Sequence, residues 1–444
     1  MNAREAALRA LMLGGDAAES LDRMLARSQL DGRDRAFATE LAHGTLKRRR
    51  TLEWTVQTCL KRPFEKLDPL LRWILLLGAY QLLFLERVPA HSAVDESVAL
   101  ARRLGHAGLA ATANAVLRRL SRERALPPPP TPQGGAPALG LYASLPDWIA
   151  QALIDRFGFE EAVKIADGLL ASPRRALRVD TTKWSVADAS QALARAGYEA
   201  TPSPYGIPEC LILQGVARGD RRFLEACISD GRLATQSEES QLAVHLLDPR
   251  EGERILDVCA GRGVKTGGIA ARLRGRGAIL AVDDDAVKLR ALTDASKHFA
   301  TPVSVVRADA RGEYAPGDAA MDAALVDAPC SGLGIIGRRA DARWRKDPHD
   351  PARFAPVQRD ALARAAEHVR PGGRMLYVTC STSPLEDEDI VEGFLGAHPQ
   401  WRARTLAPPP GASGVTQLGS HLLSEPGING GDGFFYALLE RSSS

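Results

Sequence analysis

At 444 residues the chain is too long for one ordinary hydrophobic core, so two or three domains are expected. With 45% hydrophobic and 25% charged residues it has the profile of a soluble globular protein, and no apolar run approaches the roughly 18 residues of a membrane span. The net charge of +3 conceals an asymmetry: residues 1–126 hold 21 Lys and Arg against 14 Asp and Glu, which leaves the remainder acidic. The opening MNAREAALRALMLGGDAAES has no signal-peptide core, so the cytoplasm is the default compartment. Cys59, Cys210, Cys227, Cys259, Cys330 and Cys380 form no CxxC pair. No metal site and no disulfide framework are expected, and a cysteine that matters here matters as a thiol.

Residues 1–124 read as helical throughout. Apolar residues recur at helical spacing in AREAALRALML, DRAFATELAHGTLKRRRTLEWTVQTCL and LDPLLRWILLLGAYQLLFLERV. Asp34 and Asp68 mark helix starts, with Pro69 in a first turn. The stretch WILLLGAYQLLFL is apolar on nearly all sides, as the buried helix of a bundle is. Lys47-Arg48-Arg49-Arg50 is the densest basic tract; it fits a solvated helix face as well as a phosphate-binding one. The wording Asp34-Arg35-Ala36-Phe37, His43-Gly44-Thr45-Leu46, Leu77-Gly78-Ala79-Tyr80-Gln81 and Val88-Pro89-Ala90-His91-Ser92 resembles the NusB-like RNA-binding domain. That resemblance implies contact between Arg48, Arg49, Arg50 and RNA phosphate.

Residues 125–140, ALPPPPTPQGGAPALG, read as a semi-rigid linker too rich in Pro and Gly to pack as a helix or central strand. Residues 141–234 then read as a small α+β (RRM-like) module: LPDWIAQALIDRFG and VADASQALARAG as helices, RRALRVDTT and ECLILQG as strands. Such a module serves either as an RNA-contacting accessory domain or as a packing platform. From 235 to 444, short apolar runs (ERILDVCA, GAILAVDD, TPVSVVRAD, MDAALVDAP, GGRMLYVTC) alternate with helical stretches. This predicts an α/β domain with a doubly wound, largely parallel sheet, whose ligands sit at the carboxyl ends of the strands.

The first of these strands runs into Cys259-Ala260-Gly261-Arg262-Gly263-Val264-Lys265 and a helix, a turn whose glycines admit close ligand approach. The second strand ends at Asp283, placed to accept from a ribose diol, and the third at Asp309. Each Asp by itself also fits a helix cap or a turn. A dinucleotide such as NAD or FAD is the competing ligand, but the pattern GxGxxxG departs from its GxGxxG fingerprint. The whole segment resembles the class I methyltransferases, and in wording the RsmB/NOP family of RNA cytosine-C5 methyltransferases. The resemblance implies S-adenosylmethionine as cofactor, held by residues 259–265 with Asp283, Asp309 and Asp327. Where the family has Ala-Pro-Gly-Gly-Lys this chain has Gly261-Arg262-Gly263-Val264-Lys265, which replaces a rigid proline and puts a β-branched side chain beside the cofactor.

Two later strands end in Asp327-Ala328-Pro329-Cys330-Ser331 and Thr379-Cys380-Ser381. An isolated cysteine is most often a small buried hydrophobe, but both of these stand in polar strand-end segments. The family resemblance implies that Cys380 attacks cytosine C6, Cys330 assists release, and Asp327 meets the N3/N4 edge of the base. A thiolate at C6 breaks the ring's aromaticity and makes C5 a nucleophile. Arg338, Arg339, Arg343 and Trp344, basic residues around an aromatic, read either as a strand-binding lip or as a surface helix with a buried tryptophan. Glu386-Asp387-Glu388-Asp389 reads as an acidic helix start and Pro371-Gly372-Gly373 as a turn. The leading expectation is a monomeric methyltransferase of ribosomal RNA. The alternatives are an RNA-binding assembly or antitermination factor with a decayed methyltransferase domain, and an enzyme of the same chemistry acting on transfer RNA.

Overall fold

The computed structural model describes residues 1–15, 17–215, 219–314 and 321–443, which divide into two units. The first comprises Met1–Leu170 and Arg339–Asp347, the second Ala171–Arg338 and Pro348–Ser444. Among the described residues no helix is long and apolar enough to cross a membrane.

The first unit is all helical: α1 (Ala3–Leu13), α2 (Ala17–Ala26), α3 (Gly32–Lys47), α4 (Arg49–Thr58), α5 (Pro69–Phe84), α6 (Ala90–Leu104), α7 (Ala107–Glu123), α8 (Gly135–Ala143), α9 (Asp147–Phe157) and α10 (Phe159–Leu170). Asp68 caps α5 by accepting from the N–H groups of Leu70 and Leu71, and Pro69 takes the first position, where a missing N–H costs nothing. Ten of the sixteen α5 residues are buried, as its all-round apolar character requires. The cap of α3 is Asp31 rather than Asp34; Asp34 lies one turn inside and gives its N–H to Asp31. The linker expected over 125–140 ends early. The proline run 127–130 stays non-helical, but Pro137 falls in the first turn of α8, where it is tolerated, and Ala136, Leu139 and Gly140 are buried. Thr51 donates to the Leu141 carbonyl at 2.9 Å, so α8 packs as part of the helical unit, which continues through α10.

The second unit opens with β1 (Arg175–Val179), α11 (Val186–Arg195), β2 (Ala200–Pro202), β3 (Cys210–Leu213), α12 (Arg221–Ser229) and β4 (Leu233–Thr235). The four strands form one antiparallel sheet in the order β2-β3-β1-β4, the split βαβ arrangement of ferredoxin-like modules. After α13 (Glu238–Leu247) come β5 (Arg254–Val258), α14 (Val264–Leu273), β6 (Ala278–Asp283), α15 (Ala286–Ser296), β7 (Val303–Arg307) and β8 (Met321–Asp327). They are followed by α16 (Asp350–His368), β9 (Val369–Thr379), α17 (Glu388–Ala397), β10 (Trp401–Arg404), β11 (Val415–Leu418), β12 (His421–Ser424) and β13 (Phe435–Arg441). The large sheet runs β11-β12-β13-β9-β8-β5-β6-β7, with β10 also on β13. Its β9-β8-β5-β6-β7 portion is parallel, and β13 joins β9 antiparallel. Strand order reverses at β5 and β8, so their carboxyl ends open a crevice between them. Pro371-Gly372-Gly373 lies inside β9, at a shift in its register with β8, rather than before the strand.

Candidate active site

The turn after β5 is set by local backbone strain. Cys259, Gly261 and Gly263 all have positive φ (61°, 59° and 81°). At Gly263 the positive φ strains any other residue, and a Cβ would stand 2.2 Å from the end of the Leu292 side chain on α15, which would have to move. Asp283, at the end of β6, accepts the Gly261 N–H at 2.9 Å and ties the turn to its neighbouring strand. Beneath it, Asp257 is fully buried and accepts from Thr266 Oγ1 at 2.6 Å; burial pushes its carboxyl up to about 7.

Arg178 on β1 reaches the same loop from the ferredoxin-like module. Its guanidinium is buried and donates to the carbonyls of Val264 and the Gln236 side chain, and burial lowers it to about 10. Val264 itself is 42% exposed.

A cavity of about 650 Å³ opens above this turn, lined by residues 259–262, Val264, Lys265, Asp283, Asp309 and Asp327, with Phe354 and Val357 from α16. The expected cofactor-binding residues thus come together, Gly263 excepted, which lies behind the wall as the cap of α14. Asp309 is held near 2 by hydrogen bonds from Arg311, which pairs with it at 2.6 Å. Lys265 forms an ion pair with Asp327 at 2.6 Å and lies over the Phe434 ring, 5.4 Å from its centre.

Asp327 and Pro329 line the cavity, and the next residue is Cys330. Cys330 Sγ lies 3.2 Å from Cys380 Sγ, although 50 residues separate them. Both are partly exposed free thiols. The hydrogen bond with Cys380, followed by burial, holds the Cys330 thiol well above its ordinary range. The Cys380 strand end is fixed by its own carbonyl, which accepts the Gly334 N–H at 2.9 Å. Gly334 in turn abuts Gly433, whose carbonyl oxygen would lie 2.0 Å from any Cβ there.

Sequence reasoning missed the carboxylates below the thiols. Glu386 and Asp387 have no exposed surface and are not a solvated helix start; only Glu388 and Asp389 occupy the first turn of α17. Glu386 accepts from Ser331, Ser381 and Gln358, and Asp387 from Thr379. A run of four consecutive acids gives no sign of which of them face inward.

Arg48, Arg49 and Arg50 each have partners within the helical unit. Arg48 stacks on Phe84 at 4.6 Å, Arg49 pairs with Glu53 and lies over Trp73 and Trp344, and Arg50 binds Asp147 and the Leu145 carbonyl, each at 2.6 Å. Arg343 is fully buried, donating to the carbonyls of Lys47, Ala143 and Ser144, and Trp344 Nε1 donates to the Leu46 carbonyl at 2.9 Å. A guanidinium with no solvent access meets no phosphate, so the strand-binding lip does not hold for Arg343. Arg338 belongs to the other unit, where it pairs with Asp432 at 3.1 Å; Arg339 is exposed.

A parallel sheet of this order, with acids at the ends of neighbouring strands around a glycine turn, defines a Rossmann-like methyltransferase domain. The chain belongs to the RsmB/F family of methyltransferases. The family model described as 16S rRNA methyltransferase RsmB/F matches residues 244–440. The NusB family matches residues 1–122, and the ferredoxin-like domain of RsmF/B-like methyltransferases residues 145–218. The chain is 31% identical to the probable ribosomal RNA small subunit methyltransferase B of Bacillus subtilis, over 86% of this chain and 84% of that one. It is 33% identical to the protein of the same description from Synechocystis sp., over 95% of each. The crystal structure of PH0851 superposes with a TM-score of 0.80 at 24% identity, covering 99% of this chain and 98% of that one, a likeness of fold.

Proposed function

We propose that the protein methylates carbon 5 of a cytosine in 16S ribosomal RNA, with S-adenosylmethionine as methyl donor and a covalent bond from Cys380 to carbon 6. The observation that carries this reading is the thiol pair, 3.2 Å apart at the ends of β8 and β9, with Cys330 next in the chain to Pro329, which lines the cavity. The cavity fits the donor chemically. Asp283 and Asp309 offer carboxylates at the ends of adjacent strands for hydroxyl and amino groups, and the backbone of 259–262 leaves open space beside Gly261. Val264, projecting from the first position of α14, narrows this wall without filling it. The bound donor supplies an electrophilic methyl group on a sulfonium.

The chain's own groups do the rest. Cys380 adds to carbon 6 of the base, and the electron pair released from the 5,6 double bond makes carbon 5 nucleophilic. Asp327, steadied by Lys265, accepts from the exocyclic amine and holds a proton at N3 as negative charge develops there. After methylation the C5 proton passes to a base and the electrons of that C–H bond re-form the double bond, expelling Cys380. Cys330, in contact with the sulfur that must leave, hands its own proton to the departing Cys380 sulfur and takes the C5 proton in its place. A base stacked in a helix is out of reach, so the cytosine is flipped or looped out.

Bisulfite sequencing of ribosomal RNA with and without the gene tests the reaction and its target. Loss of one 5-methylcytosine in 16S RNA supports the reading; loss only in transfer RNA redirects it, and no loss favours an assembly factor. With RNA containing 5-fluorocytosine, the intact protein forms a stable adduct and Cys380→Ala forms none. Cys330→Ala accumulates an adduct even on unmodified RNA.

A further inference from the structure

Glu386 lies in the one-turn helix Pro384–Glu386 that follows β9, and it is completely buried. Burying a carboxylate without partners is costly, and four donors converge on this one. Oε1 accepts the Ser331 N–H at 2.7 Å and the Gln358 amide at 3.1 Å. Oε2 accepts the Ser381 hydroxyl at 2.5 Å and the Ser331 hydroxyl. Ser331 follows Cys330 and Ser381 follows Cys380, so the carboxylate joins the two segments that carry the thiols. Gln358 extends the same connection by donating to the carbonyl of Pro329 at 2.9 Å, the residue before Cys330. The Glu386 backbone is pinned too, its carbonyl accepting the Tyr377 hydroxyl at 2.6 Å.

We propose that Glu386 is a positioning residue for the thiol pair, a single buried carboxylate that clamps the segments after β8 and β9 and fixes the two sulfurs at hydrogen-bond distance. It touches neither substrate nor reacting atom; it acts through the serine beside each cysteine. Each of its two oxygens serves two donors, whereas a glutamine at this position would offer one acceptor oxygen. The negative charge adds to the field on Cys330, behind the Cys380 hydrogen bond and burial. The proton of the pair therefore stays on Cys330, and Cys380 is the sulfur left to act as nucleophile. The inference deepens the reading of Cys330 and Cys380 as the reacting thiols and rests on it.

The test is alkylation of the whole protein by iodoacetamide as a function of pH, with Cys330 and Cys380 resolved by mass spectrometry and thermal stability measured alongside. In the wild type the Cys330 profile is expected to lie at higher pH than the Cys380 profile, because the Cys380 hydrogen bond and burial hold the Cys330 proton. Glu386→Gln keeps the volume but removes the charge and one acceptor, and the two profiles draw together, the ratio of the two alkylation rates falling by about tenfold. Ser331→Ala and Ser381→Ala, which lose one donor each, reproduce part of that change. If Glu386→Gln leaves both profiles superimposed on the wild type, the proposal is wrong, whatever happens to stability. If Glu386→Gln does not fold, unchanged profiles in both serine variants overturn it equally. The measurement needs no RNA, so a wild type that forms no RNA adduct sinks the proposed reaction and leaves this result standing on its own.

Discussion

Replacing Asp257 by Asn isolates the energetic effect of a buried acid beneath the glycine turn after β5. Asp257 has no exposed surface, and its Oδ1 has no hydrogen-bond partner among the described residues. Burial raises its carboxyl from 3.8 to about 7, with the Asp327 charge adding to the rise and the Thr266 hydrogen bond opposing it. The folded value lies above the unfolded one, so between the two the native state holds a proton that the unfolded chain has lost. The contribution to stability is complete below the unfolded value, declines as pH rises, and levels off above about 7. From about pH 5 to that plateau the loss covers two units at roughly 1.4 kcal/mol each, about 3 kcal/mol. In a unit of this size that corresponds to a melting shift on the order of 8 °C. Asp257→Asn leaves an acceptor for Thr266 and cannot ionise. Calorimetric scans of both proteins in matched buffers at about pH 5 and about pH 8 give the difference, in which other groups cancel, including Glu239, pushed to about 8 by burial and Asp432. The variant should gain on the wild type by that amount as pH rises. Parallel melting curves would refute the claim that this acid is protonated in the native protein at neutral pH.

Gly334→Ala forces a Cβ against the Gly433 carbonyl, so a loss of about 1–3 kcal/mol is expected, with faster amide exchange at Gly334 as the Cys380 strand end loosens. Arg343→Met strands three buried carbonyls and should lower the melting temperature of the helical unit, by about 1–3 kcal/mol in stability; a phosphate contact would instead cost RNA affinity at constant stability. Asp327→Asn breaks the ion pair with Lys265, and steady-state kinetics should show kcat falling further than KM rises. Arg178→Met removes the donor that holds the Val264 carbonyl, and calorimetric titration with S-adenosylmethionine should show weaker binding.

Periodicity and turn chemistry, read along the chain, were enough for the helical unit, the antiparallel module and the parallel sheet, because local spacing of apolar residues sets which face each element buries. The same applies to the strand-end acids Asp283 and Asp327 and the glycine turn. In a doubly wound sheet, topology sends every strand end to one edge, so knowing the strands locates the cleft. Pairings across long separations were not accessible in this way. The 3.2 Å contact between Cys330 and Cys380, the burial of Glu386 and Asp387 within an acidic run, and the guanidinium of Arg178 under Val264 join residues from different elements. A charged side chain reads as solvated until packing supplies its partners, and Arg343 read as a surface residue for that reason. What the sequence by itself determined was the set of elements and the edge on which chemistry happens. Only the tertiary structure decided which charges were withdrawn from water, because desolvation and its compensation are properties of the packed neighbourhood and not of the segment.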